Sequence, residues 1–167
     1  MANYSDASRS FRLGSPAFRW GVFLAVWCCF IWGHSLIQGP QSSSESGLVY
    51  TFLRPVFEAV GLVDKDTCTF IIRKAAHFSE YAVLGLGALN LVKNLAWWGS
   101  GRRASIGVLL AFALVAVADE TLQLFVPGRS GSPRDVAIDL AGYTFGVLCA
   151  TLVVKHRRKG AFAPVSG

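Results

Sequence analysis

The chain has 167 residues, of which 53% are hydrophobic and only 16% are charged, and its mean hydropathy is +0.45. An average soluble domain is about 25% charged, and a chain this short cannot hide so much apolar surface in one small core. The composition excludes a disordered chain and disfavours a soluble enzyme, which leaves a small integral membrane protein. The net charge is +6, but the basic residues lie between long apolar runs, so we predict no nucleic-acid partner.

Four apolar segments are long enough to cross a bilayer, which needs about 20 mostly apolar residues for each helix. The first is too long for a signal peptide and lacks a small-residue cleavage site after Gly39, so we expect it to be retained. We predict an all-α protein, a four-helix transmembrane bundle, whose spans cover about 20–37, 70–92, 104–126 and 136–154.

The positive charges orient this bundle. Ten Lys and Arg residues lie before the first span, between the second and third spans and after the fourth, against one acidic residue, Asp6. Such an excess marks the cytoplasmic side, so we expect a multi-pass protein of the inner (plasma) membrane with both termini in the cytoplasm. The predicted organisation is a basic cytoplasmic N-terminus at 1–19, a single membrane domain at 20–154 and a basic cytoplasmic tail at 155–167.

The segment between the first and second spans predicts a loop at Gly39–Gly47 and then an amphipathic helix at Gly47–Val63. Apolar residues recur in it at helical spacing, opposite Arg54 and Glu58, and these charges together with Pro55 argue against a fifth span. We expect this helix outside the cytoplasm. It either lies flat on the outer membrane surface or packs over the outer mouth of the bundle.

Charged residues are costly inside a bilayer and usually mark a site when they face the interior of a bundle. Here they concentrate at the predicted outer ends of the last three spans, so we predict one polar site in the outer leaflet. Helical spacing aligns the polar residues of each span, and a Pro- and Gly-rich turn follows the third span. These residues are Arg73, His77, Glu80 and Tyr81 in the second span, Asp119, Glu120 and Gln123 in the third, Arg129 in the turn, and Asp135 and Asp139 in the fourth.

The residue types of this cluster are compatible with several functions. As an enzyme, it would use His77 as a general acid or base, and the further catalytic candidates are Glu80, Asp119 and Glu120. As a binding site, it would hold a phosphate or carboxylate group of an envelope lipid. The predicted ligand-binding residues are Arg73, Lys74, Tyr81, Gln123, Arg129, Asp135 and Asp139.

Alternatives to these functions remain open. Because the charges nearly balance, the cluster is also compatible with an ion-pair network that only fixes the register of the helices. Proton-coupled transport is disfavoured because the inner halves of the spans are apolar. No H-x-x-x-H or HExxH spacing supports a metal, so we predict no metal and no other cofactor; the alternative ligand set is His77, Asp119, Glu120 and Asp135.

Two features near the predicted site carry further expectations. His34, at the outer end of the first span, is expected to reach the membrane interface, and joining the site is its alternative. The pattern Gly142-x-x-x-Gly146 in the fourth span predicts close approach of a neighbouring helix.

Three ordered motifs within Phe70–Gly146 resemble the VanZ-like family. They read Arg73-Lys74-x-x-His77-Phe78-x-x-Tyr81-x-x-Leu84-Gly85, Asp119-Glu120-x-x-Gln123-x-Phe125-x-Pro127-Gly128-Arg129 and Asp135-x-x-x-Asp139-x-x-Gly142, with Asp139 where the family often has Asn. The family is named for a protein that gives low-level resistance to teicoplanin, a lipid-bearing glycopeptide antibiotic. The resemblance implies a bacterial cell-envelope protein. With the polar site, it suggests binding or processing of an amphipathic ligand, either a lipid-linked precursor or a lipoglycopeptide, among membrane lipids.

Overall fold

The computed structural model describes residues 12–37, 39–95, 101–129 and 131–161, and helices are the regular secondary structure that it shows across them, which confirms the all-α prediction. The rest of the predicted tail, residues 162–167, lies outside the described residues. The five helices there are α1 (Pro16–Ser35), α2 (Gly39–Ala59), α3 (Lys65–Asn94), α4 (Arg102–Gln123) and α5 (Pro133–Ala161).

Three of these helices are long and apolar enough to cross a membrane, namely α1, α4 and the Pro133–His156 part of α5. The second predicted span lies in α3, which does not meet the same criterion. Its 30 residues would extend about 45 Å, so its length suffices for a bilayer core. Its composition does not, because polar residues, among them His77, Glu80 and Asn90, lower the mean hydropathy of its otherwise apolar part.

Helix α3 is the centre of the fold, because it packs against each of the other four helices. None of its charged residues from Arg73 to Lys93 is exposed, so they face protein. The core beside them is apolar and combines four helices, with Leu24 and Ile31 from α1, Tyr81, Leu84 and Ala88 from α3, Ala116 from α4 and Tyr143 from α5.

Glycines allow α3 and α5 to approach until their backbones touch. A Cβ at Gly146 would overlap the carbonyl group of Ala82, and a Cβ at Gly142 would overlap that of Phe78. This confirms the predicted small-residue packing surface and identifies α3 as its partner.

The outward faces of α1, α4 and α5 are apolar. An apolar surface this extensive would be unfavourable in water, whereas a bilayer accommodates it. Its exposed residues include Val26, Phe30, Leu110, Leu114, Leu148 and Leu152.

Helix α2 differs from its sequence-based expectation at both ends. The predicted loop Gly39–Gly47 is helical, and the helix ends at Ala59 instead of Val63. Proline in the first turn of a helix loses no hydrogen bond, which explains why the Gly-Pro start does not prevent the helix. The apolar face is largely uncovered, and Phe52 is 84% exposed.

Side-chain caps fix the starts of α1 and α3. Ser15 Oγ accepts a hydrogen bond from the backbone N–H of Phe18 at 3.1 Å, and Asp64 accepts one from the N–H of Thr67 at 2.8 Å. Such caps satisfy backbone groups that the first turn of a helix leaves free.

Candidate functional site

The predicted site residues meet at the end of the bundle where α1 and α4 end and α3 and α5 begin. Two contacts join these helices in pairs there, α1 with α4 and α3 with α5. Ser35 Oγ of α1 donates to Asp119 Oδ2 of α4 at 2.9 Å, and Lys74 Nζ of α3 lies 2.6 Å from Asp135 Oδ2 of α5. The antiparallel alternation of helices therefore brings distant polar segments of the sequence to one place.

A cavity of about 260 Å³, the polar cavity, opens at this end. Five of the seven predicted ligand-binding residues line it, and His77 of the predicted catalytic set lines it as well. Its lining consists of Phe70, Arg73, Lys74, His77, Gln123, Gly128, Arg129 and Asp135.

The two arginines of the polar cavity have no carboxylate partner within ion-pair distance among the described residues. Arg129 instead donates to the carbonyl oxygens of Ile37 at 3.1 Å and His34 at 3.4 Å. Burial lowers the pKa of the Arg129 guanidinium, and the neighbouring positive charge of Arg73 lowers it further. Since Lys74 is paired, these two arginines are the cations of the cavity without a carboxylate at ion-pair distance, although Asp119, Glu120 and Glu45 act on Arg129 from farther away.

The turn after α4 determines the position of Arg129. The N–H of Arg129 donates to the carbonyl of Val126 at 3.1 Å, and Gly128 adopts a φ of +75°. Glycine is the residue that enters this left-handed region without steric cost. The Pro-Gly turn thus directs the chain back over the end of α1.

A second cavity of about 210 Å³, the apolar cavity, lies between α2 and α3. It shares Arg73 and His77 with the polar cavity, and most of its remaining surface is apolar. Its lining consists of His34, Glu45, Ser46, Val49, Ile72, Arg73, Ala76 and His77. The two cavities together offer a cationic part and an apolar part side by side.

Two buried carboxylates lie behind the polar cavity. Asp119 is 0% and Asp139 1% exposed. Asp139 Oδ1 lies 3.6 Å from His77 Nδ1, and His77, Asp119 and Asp139 each offer a ligand atom within 4.8 Å of the others. A search for metal motifs along the sequence could not find this group of residues. Its three members come from three different helices, so no spacing within one helix reveals them.

Glu80 contacts His34 of α1 and not His77, the histidine one turn away on its own helix. Its Oε1 lies 3.0 Å from His34 Nδ1, whereas the carboxylate found beside His77 is that of Asp139. His77 lines both cavities, and its function as an acid or base stays a prediction.

Glu120 and Tyr81 do not line either cavity. Glu120 Oε2 accepts a hydrogen bond from the backbone N–H of Ser132 at 2.9 Å, which fixes the connection between α4 and α5. Tyr81 is fully buried, and its hydroxyl, which donates to the carbonyl of Val115 at 3.5 Å, also lies close to the carboxylate of Asp119. Their catalytic and ligand-binding functions stay predictions, and their contacts here are structural.

Ser35 belongs to the site although the sequence did not point to it, and His34 belongs to it as well, which was the alternative expectation for that residue. His34 Nε2 also lies 3.6 Å from Glu45 Oε2 of α2, so His34 is held inside the fold and not only at the membrane interface. The signal that would have found Ser35 is its position beside His34 at the end of the first span, which antiparallel packing places beside the start of the second.

A comparison with protein-family models matches the VanZ/LLP1 family over residues 20–154, which is most of the chain. The chain belongs to the VanZ family. Comparison with curated proteins and with solved structures gave no match. Family membership and the apolar helices together make this VanZ protein a membrane protein. Each of the three motifs on which the sequence resemblance depends contributes to the polar cavity, through Arg73, Lys74 and His77, through Gln123, Gly128 and Arg129, and through Asp135.

Proposed function

We propose that this VanZ protein binds an amphipathic cell-envelope ligand, with the anionic group in the polar cavity and the apolar part in the apolar cavity. The observation that carries the proposal is the pair Arg73 and Arg129, two cations that line one cavity without a described carboxylate partner. Like charges repel, and an anion between them relieves this repulsion. Guanidinium groups suit phosphate and carboxylate because they donate two parallel hydrogen bonds.

The ligand classes that fit are a lipid-linked envelope precursor and a lipid-bearing glycopeptide such as teicoplanin. Both combine a polar part with an apolar chain. The shared lining residues Arg73 and His77 connect the two cavities, and the exposed apolar face of α2 lies beside the apolar one. A ligand that spans both cavities would extend towards the surrounding lipids.

The site is proposed to lie in the outer leaflet of the plasma membrane, with α3 as a fourth span, α2 outside the cytoplasm and both termini inside. The distribution of Lys and Arg supports this orientation. Its test uses single cysteines in a variant whose four native cysteines are replaced. A membrane-impermeant maleimide should label Ser44→Cys in intact cells, and Lys155→Cys only after the cells are permeabilised. The reverse labelling pattern would contradict the orientation.

The binding test uses the purified full chain in nanodiscs of neutral phosphatidylcholine, titrated with a polyprenyl phosphate and, separately, with teicoplanin. Charge-assisted hydrogen bonds contribute about 1.5–3 kcal/mol each, so Arg73→Ala and Arg129→Ala should each weaken binding about 10- to 100-fold. Arg134→Ala is the matched control, because Arg134 is an exposed arginine at the start of α5 that lines neither cavity. Equal loss in all three variants, or no binding of either probe by the wild type, would overturn the proposal.

A purely structural function of the cluster is the second candidate, and the pairing of charges argues against it. Among the described residues, Lys74–Asp135 is the one pair of a Lys or Arg with a carboxylate that joins two helices. An ion-pair network would also neutralise Arg73 and Arg129, and it would supply donors to both oxygens of Asp119 and Asp139. If the cluster were purely structural, substitutions in it would lower the teicoplanin tolerance of a susceptible host only in proportion to the loss of folded protein.

A further inference from the structure

We propose that His77, Asp119 and Asp139 together bind a divalent transition-metal cation such as Zn²⁺ or Mn²⁺. The ligands come from α3, α4 and α5, so the ion would link three helices at the base of the polar cavity. This metal site is distinct from the proposed anion site, since it depends on an imidazole and two carboxylates and not on the two guanidinium groups.

The first observation is that each of the three side chains has a buried polar atom without a hydrogen-bond partner among the described residues. These atoms are His77 Nδ1, Asp119 Oδ1 and Asp139 Oδ2. The two carboxylates are at least 99% buried and His77 is 8% exposed. Buried polar groups are normally satisfied by a donor, a water or an ion, and a buried carboxylate is costly without one. One dication would satisfy all three groups.

The second observation is their geometry. One ligand atom from each residue lies within 4.8 Å of the other two, and His77 Nδ1 lies 3.6 Å from Asp139 Oδ1. That separation is too long for a hydrogen bond. Two ligands of one tetrahedral ion, each about 2.1 Å from it, lie roughly 3.4 Å apart. The imidazole and Asp139 Oδ1 are therefore spaced as neighbouring ligands of an ion, and a bidentate carboxylate would bring the unpartnered Oδ2 to the same ion.

The third observation is the set of groups around these ligands. Ser35 Oγ donates to Asp119 Oδ2 at 2.9 Å, and Gln123 Nε2 approaches the same oxygen at 3.5 Å. Hydrogen bonds of this kind orient a ligating carboxylate, and here they leave Oδ1 free for the ion. His77 and Gln123 both line the polar cavity, which provides an entry path.

The donor set limits the kind of ion. One imidazole nitrogen with two carboxylates suits Zn²⁺ or Mn²⁺, whereas a soft cation would prefer thiolates. Three protein ligands leave at least one coordination position open. A cation here would lie beside the cavity that is proposed to receive an anionic group.

The test uses the full chain in detergent, without a polyhistidine tag, after removal of metals with a chelator. Zn²⁺ or Mn²⁺ alone is titrated, and the bound metal is measured by elemental mass spectrometry. The wild type should bind one ion per chain. Asp119→Asn and Asp139→Asn keep the shape of the side chain but remove its charge. Since the loss of even an outer-shell partner costs about 10- to 100-fold in affinity, each should weaken binding by at least about 100-fold.

The control is His156→Ala, an exposed histidine near the far end of α5, which should bind the ion like the wild type. A wild type that binds no ion would overturn the proposal and leave a proton shared by the carboxylates as the explanation. Asparagine variants that bind like the wild type would overturn it as well. Arg73→Ala should retain the ion while losing the anionic ligand, so failures of the two proposals are distinguishable.

X-ray absorption of wild-type protein with bound Zn²⁺ keeps the proposal testable if the variants do not fold. The expected spectrum shows nitrogen and oxygen ligands at about 2.0–2.1 Å, including one imidazole. Sulfur ligands would place the ion on the free cysteines instead, and would overturn the assignment.

Discussion

The ammonium group of Lys74 on α3 lies 2.6 Å from the carboxylate of Asp135 on α5. Arg73, the residue before Lys74, has no such partner among the described residues, although both side chains line the polar cavity. Two adjacent cations therefore have different functions. Lys74 connects two helices, and Arg73 remains available to a ligand.

The Lys74–Asp135 pair should stabilise the contact between α3 and α5. Its side chains are about one-fifth exposed, so removal of either partner should cost about 1–3 kcal/mol, between the values for exposed and fully buried pairs. Lys74→Met and Asp135→Leu together should cost less than the sum of the two single changes. Unfolding in detergent measures all four proteins of this double-mutant cycle, and strict additivity would contradict the interaction.

Backbone contact between α3 and α5 makes Gly146 intolerant of even one methyl group. A Cβ at Gly146 would overlap the carbonyl of Ala82, whereas a Cβ at Gly107 on α4 meets no atom within 4 Å. Gly146→Ala should destabilise the protein by about 1–3 kcal/mol through overpacking. Gly107→Ala should stabilise it by up to about 1 kcal/mol through helix propensity. Thermal unfolding of the two variants compares them directly, and equal effects would exclude the predicted helix contact.

The sequence was sufficient for those features that depend on local composition or helical spacing. Apolar length located the segments that became α1, α4 and α5, and the spacing of Gly142 and Gly146 predicted close packing. The Pro127-Gly128 turn likewise predicted where Arg129 would lie. Each of these depends on residues that are near one another in the chain.

Features that depend on side-chain pairing between helices could not be predicted in the same way. The imidazole of His77 approaches Asp139 of α5 and not Glu80, which is nearer in the sequence. The rotation of α5 against α3 decides which carboxylate faces the imidazole. Glu80 in turn contacts His34, which is 46 residues away. The predicted loop at Gly39–Gly47 was wrong because a turn-forming composition does not prevent a helix whose proline occupies the first turn.

The start of α3 should depend on pH through Asp64. Hydrogen bonds from the hydroxyl and the N–H of Thr67 favour the carboxylate and lower its pKa below the ordinary value. The stabilising effect of this cap is therefore fully present above the ordinary pKa of Asp, about 3.9, and is lost as the pH falls through the lowered pKa.

Asp64→Asn separates this effect from other titrations. Asparagine caps a helix about as well as aspartate but does not titrate. The variant should match the wild type near pH 7 and lose less stability than the wild type below pH about 4. Thermal midpoints measured across this range provide the test, and parallel pH profiles would show that Asp64 does not cap α3.

The most direct test of the anion site is the thermal midpoint of the wild type and Arg73→Gln in neutral nanodiscs, each measured without and with a polyprenyl phosphate. Without ligand, Arg73→Gln should unfold at the same or a higher temperature, because it removes the repulsion between Arg73 and Arg129. With ligand at 100 times its Kd, the wild type should gain about 2.7 kcal/mol, and the variant should gain much less. Arg134→Gln is expected to behave like the wild type in both states. A lower midpoint for Arg73→Gln without ligand, unchanged by its addition, would contradict the account and assign Arg73 to the scaffold of the fold.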